Sequence, residues 1–175
     1  MANLVTVETL KKQVHENVSS TSMNDTQTKA FLNQAVADLS KAYAMVYQVH
    51  WYMRGQGFYY LHPKMDEFLE GLTATRDELS ERLIAIGGAP YSTLKEFDVA
   101  SNLEDEVGSF DKSMQERLQD LVNIYRYLSN LYQAGLEVTD SEGDVSTNDL
   151  LTSAKTDADK TVWMLSSELG KGPKE

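Results

Sequence analysis

Apolar positions recur at steps of three and four along most of this chain, the spacing that lays them on one face of a 3.6-residue helix. From Thr28 to Arg54 the stripe runs through Phe31, Ala35, Leu39, Val46, Val49 and Met53, and Gly55 and Gly57 end it. A second helix is predicted from His62 to the Gly87, Gly88 and Pro90 that supply a cap and a stop. A third is predicted over Asp105–Glu137, carried by Val107, Phe110, Leu118, Leu121, Leu128 and Leu131, and a fourth over Leu150–Leu169. Residues 3–18 hold a thinner stripe, Leu4, Val7, Leu10 and Val14, which predicts a short amphipathic helix, and Ser19–Thr28 reads as a polar linker. Between the second and third long helices, Tyr91–Leu103 leaves room for a short helix near Ser92–Asp98. Asp140–Asp149 reads as an acidic turn, with Asn148 or Asp149 suited to cap the last helix. The expected fold is all-α: an N-terminal helix and linker over residues 1–27, then a four-helix bundle over 28–172 with one long crossover.

Composition narrows the function. A chain of 175 residues suits one domain with a real core. No apolar run approaches 18 residues and no signal-peptide core stands at the N-terminus, so a soluble, cytoplasmic protein without a membrane partner is expected. There is no cysteine, which excludes disulfides and thiolate metal sites. The formal net charge of −11 repels a phosphate backbone, so DNA binding is disfavoured, whereas an acidic surface suits a protein that gathers cations.

The candidate chemistry lies between Gln48 and Pro90. His62 and Asp66 are four apart, as are Asp77 and Glu81, and the eleven-residue step between the pairs is nearly three whole turns. All four therefore share one stripe. Along the axis that step is roughly 16 Å at about 1.5 Å per residue, whereas a metal ligand sits about 2.0–2.3 Å from its ion. One copy of the helix does not close a site. Two copies lying antiparallel across a two-fold axis bring the His62/Asp66 end of one to the Asp77/Glu81 end of the other, and a two-fold axis makes the site twice. His50, at the end of the preceding helix, reaches the His62/Asp66 end. Two imidazoles and three carboxylates suit iron, with zinc or manganese as competitors. No histidine here has a glutamate three residues before it, so the Glu-x-x-His pairs of a di-iron centre inside one bundle are missing.

The run H-W-Y-M-R-G-x-x-F from His50 to Phe58, a second histidine twelve residues after the first, an aspartate four further on and D-x-x-x-E eleven beyond it resemble the ferroxidase signature of the Dps family, the ferritin-like mini-ferritins. The resemblance runs from about Asn33 to Gly172 and is closest to the peroxide-resistance branch of streptococci and lactic acid bacteria. It implies that His50, His62 and Asp66 from one subunit and Asp77 and Glu81 from its dimer mate hold Fe(II) for oxidation by hydrogen peroxide. A hollow shell of twelve subunits would store the Fe(III) and protect against oxidative stress. It further implies that Trp51 absorbs an oxidising equivalent, and that Asp140, Asp144 and Asp149 border the three-fold pores through which iron enters. The lysine-rich arm with which some members bind DNA is absent: the corresponding segment has Lys11, Lys12 and Lys29 interleaved with Glu8, Glu16 and Asp25. A DNA-compacting structural protein, or a helical oligomer with structural zinc at its interface, is the alternative to a ferroxidase.

Overall fold

The computed structural model describes residues 5–17 and 23–175. Six helices follow in order: α1 Val7–Asn17, α2 Gln27–Tyr52, α3 Phe58–Ala85, α4 Leu94–Ala100, α5 Met114–Glu142 and α6 Val145–Glu168. No strand occurs among the described residues. Residues 3, 4 and 18 of the expected first helix, and 19–22 of the expected linker, lie outside them.

The long helices pair as α2 with α3 and α5 with α6, and contacts of α2 with α5 and of α3 with α6 close the four-helix bundle. Its centre holds Phe31, Leu39, Val46, Met65, Leu121 and Leu131, each with no exposed surface. At Gly135 of α5 the Phe31 ring comes so close that a Cβ would lie 2.3 Å from it, so only glycine lets the two helices approach there. Helix α1 packs on α5 and α2 from outside, burying Leu10 and Val14, and Lys11 ties it to Glu137 at 2.5 Å.

The ends of α2 explain its placement. Thr26 caps its start, and Glu142, from the last turn of α5, accepts hydrogen bonds from the backbone amides of Gln27 and Thr28 at 2.9 Å each. One helix therefore satisfies free amides at the start of another. At the far end, Gly55 and Gly57 take φ of 105° and 89°, and the chain reverses in five residues to start α3.

The crossover from α3 to α5 is anchored by polar residues of α2. Asn33 donates to the Ala89 carbonyl at 3.1 Å and accepts from the Tyr91 amide at 2.7 Å. Asp38, fully buried, accepts from the Ser101 hydroxyl and the Asn102 amide at 2.8 Å each, from the Tyr127 hydroxyl at 2.7 Å and from Gln34 at 3.1 Å. Burial pushes the Asp38 carboxyl up, against these donors, which pull it down.

Helix boundaries differ from the expected ones at three places, each for a local reason. Helix α3 begins at Phe58, before Pro63, because Gly57 starts the turn and accepts from the Leu61 amide at 2.9 Å. Helix α5 begins nine residues later than expected, at Met114, where Ser113 and Glu116 form a reciprocal capping box. Residues 104–113 run outside it, held by Gln48 on the Glu106 carbonyl, Arg54 on that of Phe110 at 2.7 Å and Arg117 on that of Ser109. Val107, expected on a buried stripe, is 95% exposed. The acidic turn shrinks to Gly143 and Asp144: Gly143 at φ 71° ends α5, with Asp144 N–H bonding Thr139 at 2.9 Å, and Asp144, not Asn148 or Asp149, caps α6.

Candidate metal centre

The tight reversal between α2 and α3 brings His50, in the last turn of α2, against His62, in the second turn of α3. Their Nε2 atoms are 3.0 Å apart and the rings meet edge to face, with centroids 4.0 Å apart. Two nitrogens held at about 2.1 Å by one ion, at angles between right-angled and tetrahedral, lie about 3.0–3.4 Å from each other, so the pair is spaced to ligate a single ion. Phe58 also stacks on His62, with centroids 4.7 Å apart and planes 28° from parallel. Both Nδ1 atoms are buried without a hydrogen-bond partner. Asp66 Oδ1 is 3.5 Å from the His50 Nδ1, an electrostatic contact too long for a good hydrogen bond. Burial, and next the neighbouring His62, hold the His50 imidazole below its ordinary value against the pull of Asp66, which favours the neutral, ligating form.

Within one chain the set stays open. Among the described residues no three histidine, aspartate or glutamate side chains converge as a metal site. Asp66 and Asp77 instead line a shallow groove of about 640 Å³ along α3, with Tyr43 and Tyr47 of α2 and Arg76 on its walls. Asp77 and Glu81 are exposed, and no lysine or arginine among the described residues pairs with either. Trp51, 64% exposed, lies beside the histidine pair with its ring 4.7 Å from that of Tyr47.

The three aspartates assigned to a pore separate. Asp140, in the last turn of α5, and Asp149, in α6, are exposed. Asp144 is half-buried: it accepts from Thr147 N–H at 3.0 Å, the Thr147 hydroxyl at 2.6 Å and Arg82 at 2.7 Å. Burial opposes its ionisation, but these donors outweigh it and hold the carboxyl below the ordinary range. Sequence reading passed over Tyr43, Tyr47 and Arg76 as site neighbours; the four-residue spacing of Tyr43, Tyr47 and Trp51 was the available signal.

A four-helix bundle with one long crossover is the arrangement of a ferritin-like protein, and a ferritin-like domain model matches residues 29–174. The DNA protection during starvation protein of Streptococcus suis is 52% identical over 147 residues, covering 84% of this chain and 86% of that protein. Its namesake from Listeria monocytogenes is 44% identical over 153 residues, covering 87% and 98%. The solved Dps of Listeria monocytogenes is 45% identical, covers 85% of this chain and 96% of its own, and superposes with a TM-score of 0.83. A Dps of Listeria innocua solved after soaking with zinc is 44% identical, covering 85% and 99%, with a TM-score of 0.81. The chain belongs to the Dps family of ferritin-like proteins.

Proposed function

We propose that this chain is a mini-ferritin that oxidises Fe(II) at a site shared between two subunits and stores the Fe(III), extending the iron-storage and stress-protection role of its family to particular residues. The observation that carries the reading is the His50–His62 pair at 3.0 Å, with Asp66, 3.5 Å from His50, lining a groove that also holds Asp77. His50, His62 and Asp66 supply one half of the site, and Asp77 and Glu81 of a second, antiparallel copy supply the other. The neutral imidazoles bind Fe(II) without adding charge, and the carboxylates compensate the charge gained on oxidation. Iron is the substrate, hydrogen peroxide the preferred oxidant, and zinc or manganese a competitor for the same donors. Another Listeria innocua Dps was solved with two histidines, twelve positions apart, changed to glycine. His50 and His62 have that same separation.

The remaining assignments are carried over from the family resemblance. Twelve subunits enclose the store, and Asp140 and Asp149 draw Fe(II) toward the three-fold pores. Asp144 is left out of that set because its oxygens are taken by Thr147 and Arg82. At a net charge of −11, protection of DNA proceeds by removing Fe(II) and peroxide together and not by coating the duplex. No helix among the described residues is long and apolar enough to cross a membrane, in keeping with a cytoplasmic store.

Asp77→Ala tests the shared site. The assembled particle is expected to persist, while peroxide-driven ferric absorbance after anaerobic Fe(II) loading falls about tenfold or more, the range lost when a metal site is weakened. An unchanged rate removes Asp77 from the site, and zinc binding without any ferric signal in the unaltered protein restores the structural-zinc alternative.

A further inference from the structure

Both ligand pairs of α3 share one midpoint. His62 and Glu81 lie equally far to either side of the bond between Gly71 and Leu72, and so do Asp66 and Asp77. A two-fold axis that brings the His62/Asp66 end of one copy to the Asp77/Glu81 end of another therefore passes that bond, and any two residues equidistant from it come level across the pair. Tyr59 and Ile84 are two such residues. Eighteen residues make five whole turns, so Tyr59 stands directly in line with Asp77, and Ile84 with Asp66. Both lie on the ligand stripe.

Each is also a large apolar side chain left in water. Tyr59 is 94% exposed and Ile84 is 60% exposed. The residues flanking Tyr59 are engaged within the chain: Phe58 stacks on His62, and the Tyr60 hydroxyl donates to Glu168 of α6. Exposed apolar residues scattered singly are ordinary on a protein surface. These two are not scattered, because they coincide with the ligand stripe in angle and with the ligand midpoint along the axis. Between the ligand pairs the stripe offers Glu70, Thr73 and Ala74, which line the groove, so its large exposed apolar side chains fall at its two ends.

We propose that Tyr59 of one subunit packs on Ile84 of the second, and that this contact, made twice, closes the outer end of each metal site. It rests on the shared site described above and names residues that hold the two halves together. The contact lies three residues beyond His62 on one helix and three beyond Glu81 on the other, about 4.5 Å farther along the pair at about 1.5 Å per residue. There it stands between the ligands and the water at the end of the groove. Excluding that water strengthens the attraction between the carboxylates and a bound cation. The same contact sets how far one α3 slides along the other. A slip of one turn, about 5.4 Å, parts Asp66 from Asp77 of the second copy and returns both apolar side chains to water. Tyr59 and Ile84 are thus positioning residues that touch no metal.

The chain has no cysteine, so Tyr59→Cys combined with Ile84→Cys places two thiols in each chain and no others. Within one chain those thiols stand on one helix roughly 38 Å apart, at about 1.5 Å per residue, beyond the reach of a short linker. The assembled double variant, treated with a short bismaleimide and run on a denaturing gel, is expected to give chains joined in twos and nothing larger, since reciprocal contacts across a two-fold axis close on themselves. Either single variant is expected to run as separate chains. Separate chains from the double variant, or a ladder beyond two, overturn the contact. Peroxide-driven ferric absorbance gives the functional reading: Tyr59→Ser is expected to slow it severalfold at unchanged particle size, and Tyr59→Phe, which keeps the ring, to restore it. Equal rates in these two variants overturn the sealing role. Chains joined in twos without ferric absorbance in the unaltered protein overturn the iron reading and leave the contact standing. A rate lost in Asp77→Ala without joining in the double variant leaves the shared site standing and overturns the contact.

Discussion

His50 shows how burial holds an imidazole in the neutral form that a metal ion would take. Taking an imidazole out of water disfavours its charged form, and His62 beside it adds to the cost. Because its value in the folded chain is lowered, the unfolded chain binds the proton more readily. The stability contributed by neutral His50 is thus complete above the ordinary value of 6.5 and is lost as pH falls through 6.5 toward the lowered value. The same shift means that protons displace a metal ion from His50 only at a pH below that at which an exposed histidine would release it. Unfolding midpoints of the metal-free protein should fall as pH drops below 6.5, and fall less in His50→Gln, which cannot take up the proton; an equal fall in both contradicts a buried, neutral His50. Phe58 belongs to the same economy of position, since its stack on His62 leaves that ring little freedom to turn.

Asp38 decides where the crossover lies relative to α2. Replacing it by asparagine turns one acceptor oxygen into a donor facing donors, and a buried polar group left without its partner costs about 1–3 kcal/mol. Asp38→Asn should therefore speed hydrogen exchange at the Asn102 amide, which bonds to Asp38 at 2.8 Å, while the centre of α5 stays protected. Exchange unchanged at Asn102 would show that the anchor is dispensable. Elements were legible in the sequence where an apolar stripe ran between clear stops, as in α2, and illegible where a short-range signal overrode the stripe. The Ser113–Glu116 capping box starts α5 despite Val107 and Phe110, and Gly143 followed by Asp144 turns the chain within what reads as a longer acidic loop. His62, Asp66, Asp77 and Glu81 share a stripe of α3 although that helix starts earlier than expected, because periodicity depends on phase and not on where the helix begins. Tyr47 stayed hidden as a neighbour of the site for the opposite reason: its spacing fits a packing face equally well, and only ring contacts with His50 and Trp51 distinguish it.

For the whole molecule, the proposed site requires a second copy, because His62/Asp66 and Asp77/Glu81 lie nearly three turns apart along α3. If each site takes its histidines from one subunit and Asp77 and Glu81 from another, then two defective proteins repair each other in a way that a site built within one chain forbids. His62→Ala chains lack the first half of every site they donate to, and Asp77→Ala chains lack the second. Dissociated together in equal amounts and reassembled at random, about one site in four combines an intact histidine half with an intact carboxylate half, by the reciprocity of a two-fold interface. Each variant alone should oxidise Fe(II) slowly, and the mixture should regain about a quarter of the unaltered rate. The same two proteins mixed without dissociation should gain nothing, which separates subunit exchange from mere addition of residual activities. Failure of the reassembled mixture to exceed its components, with particle size normal, would place both halves of the site in one chain.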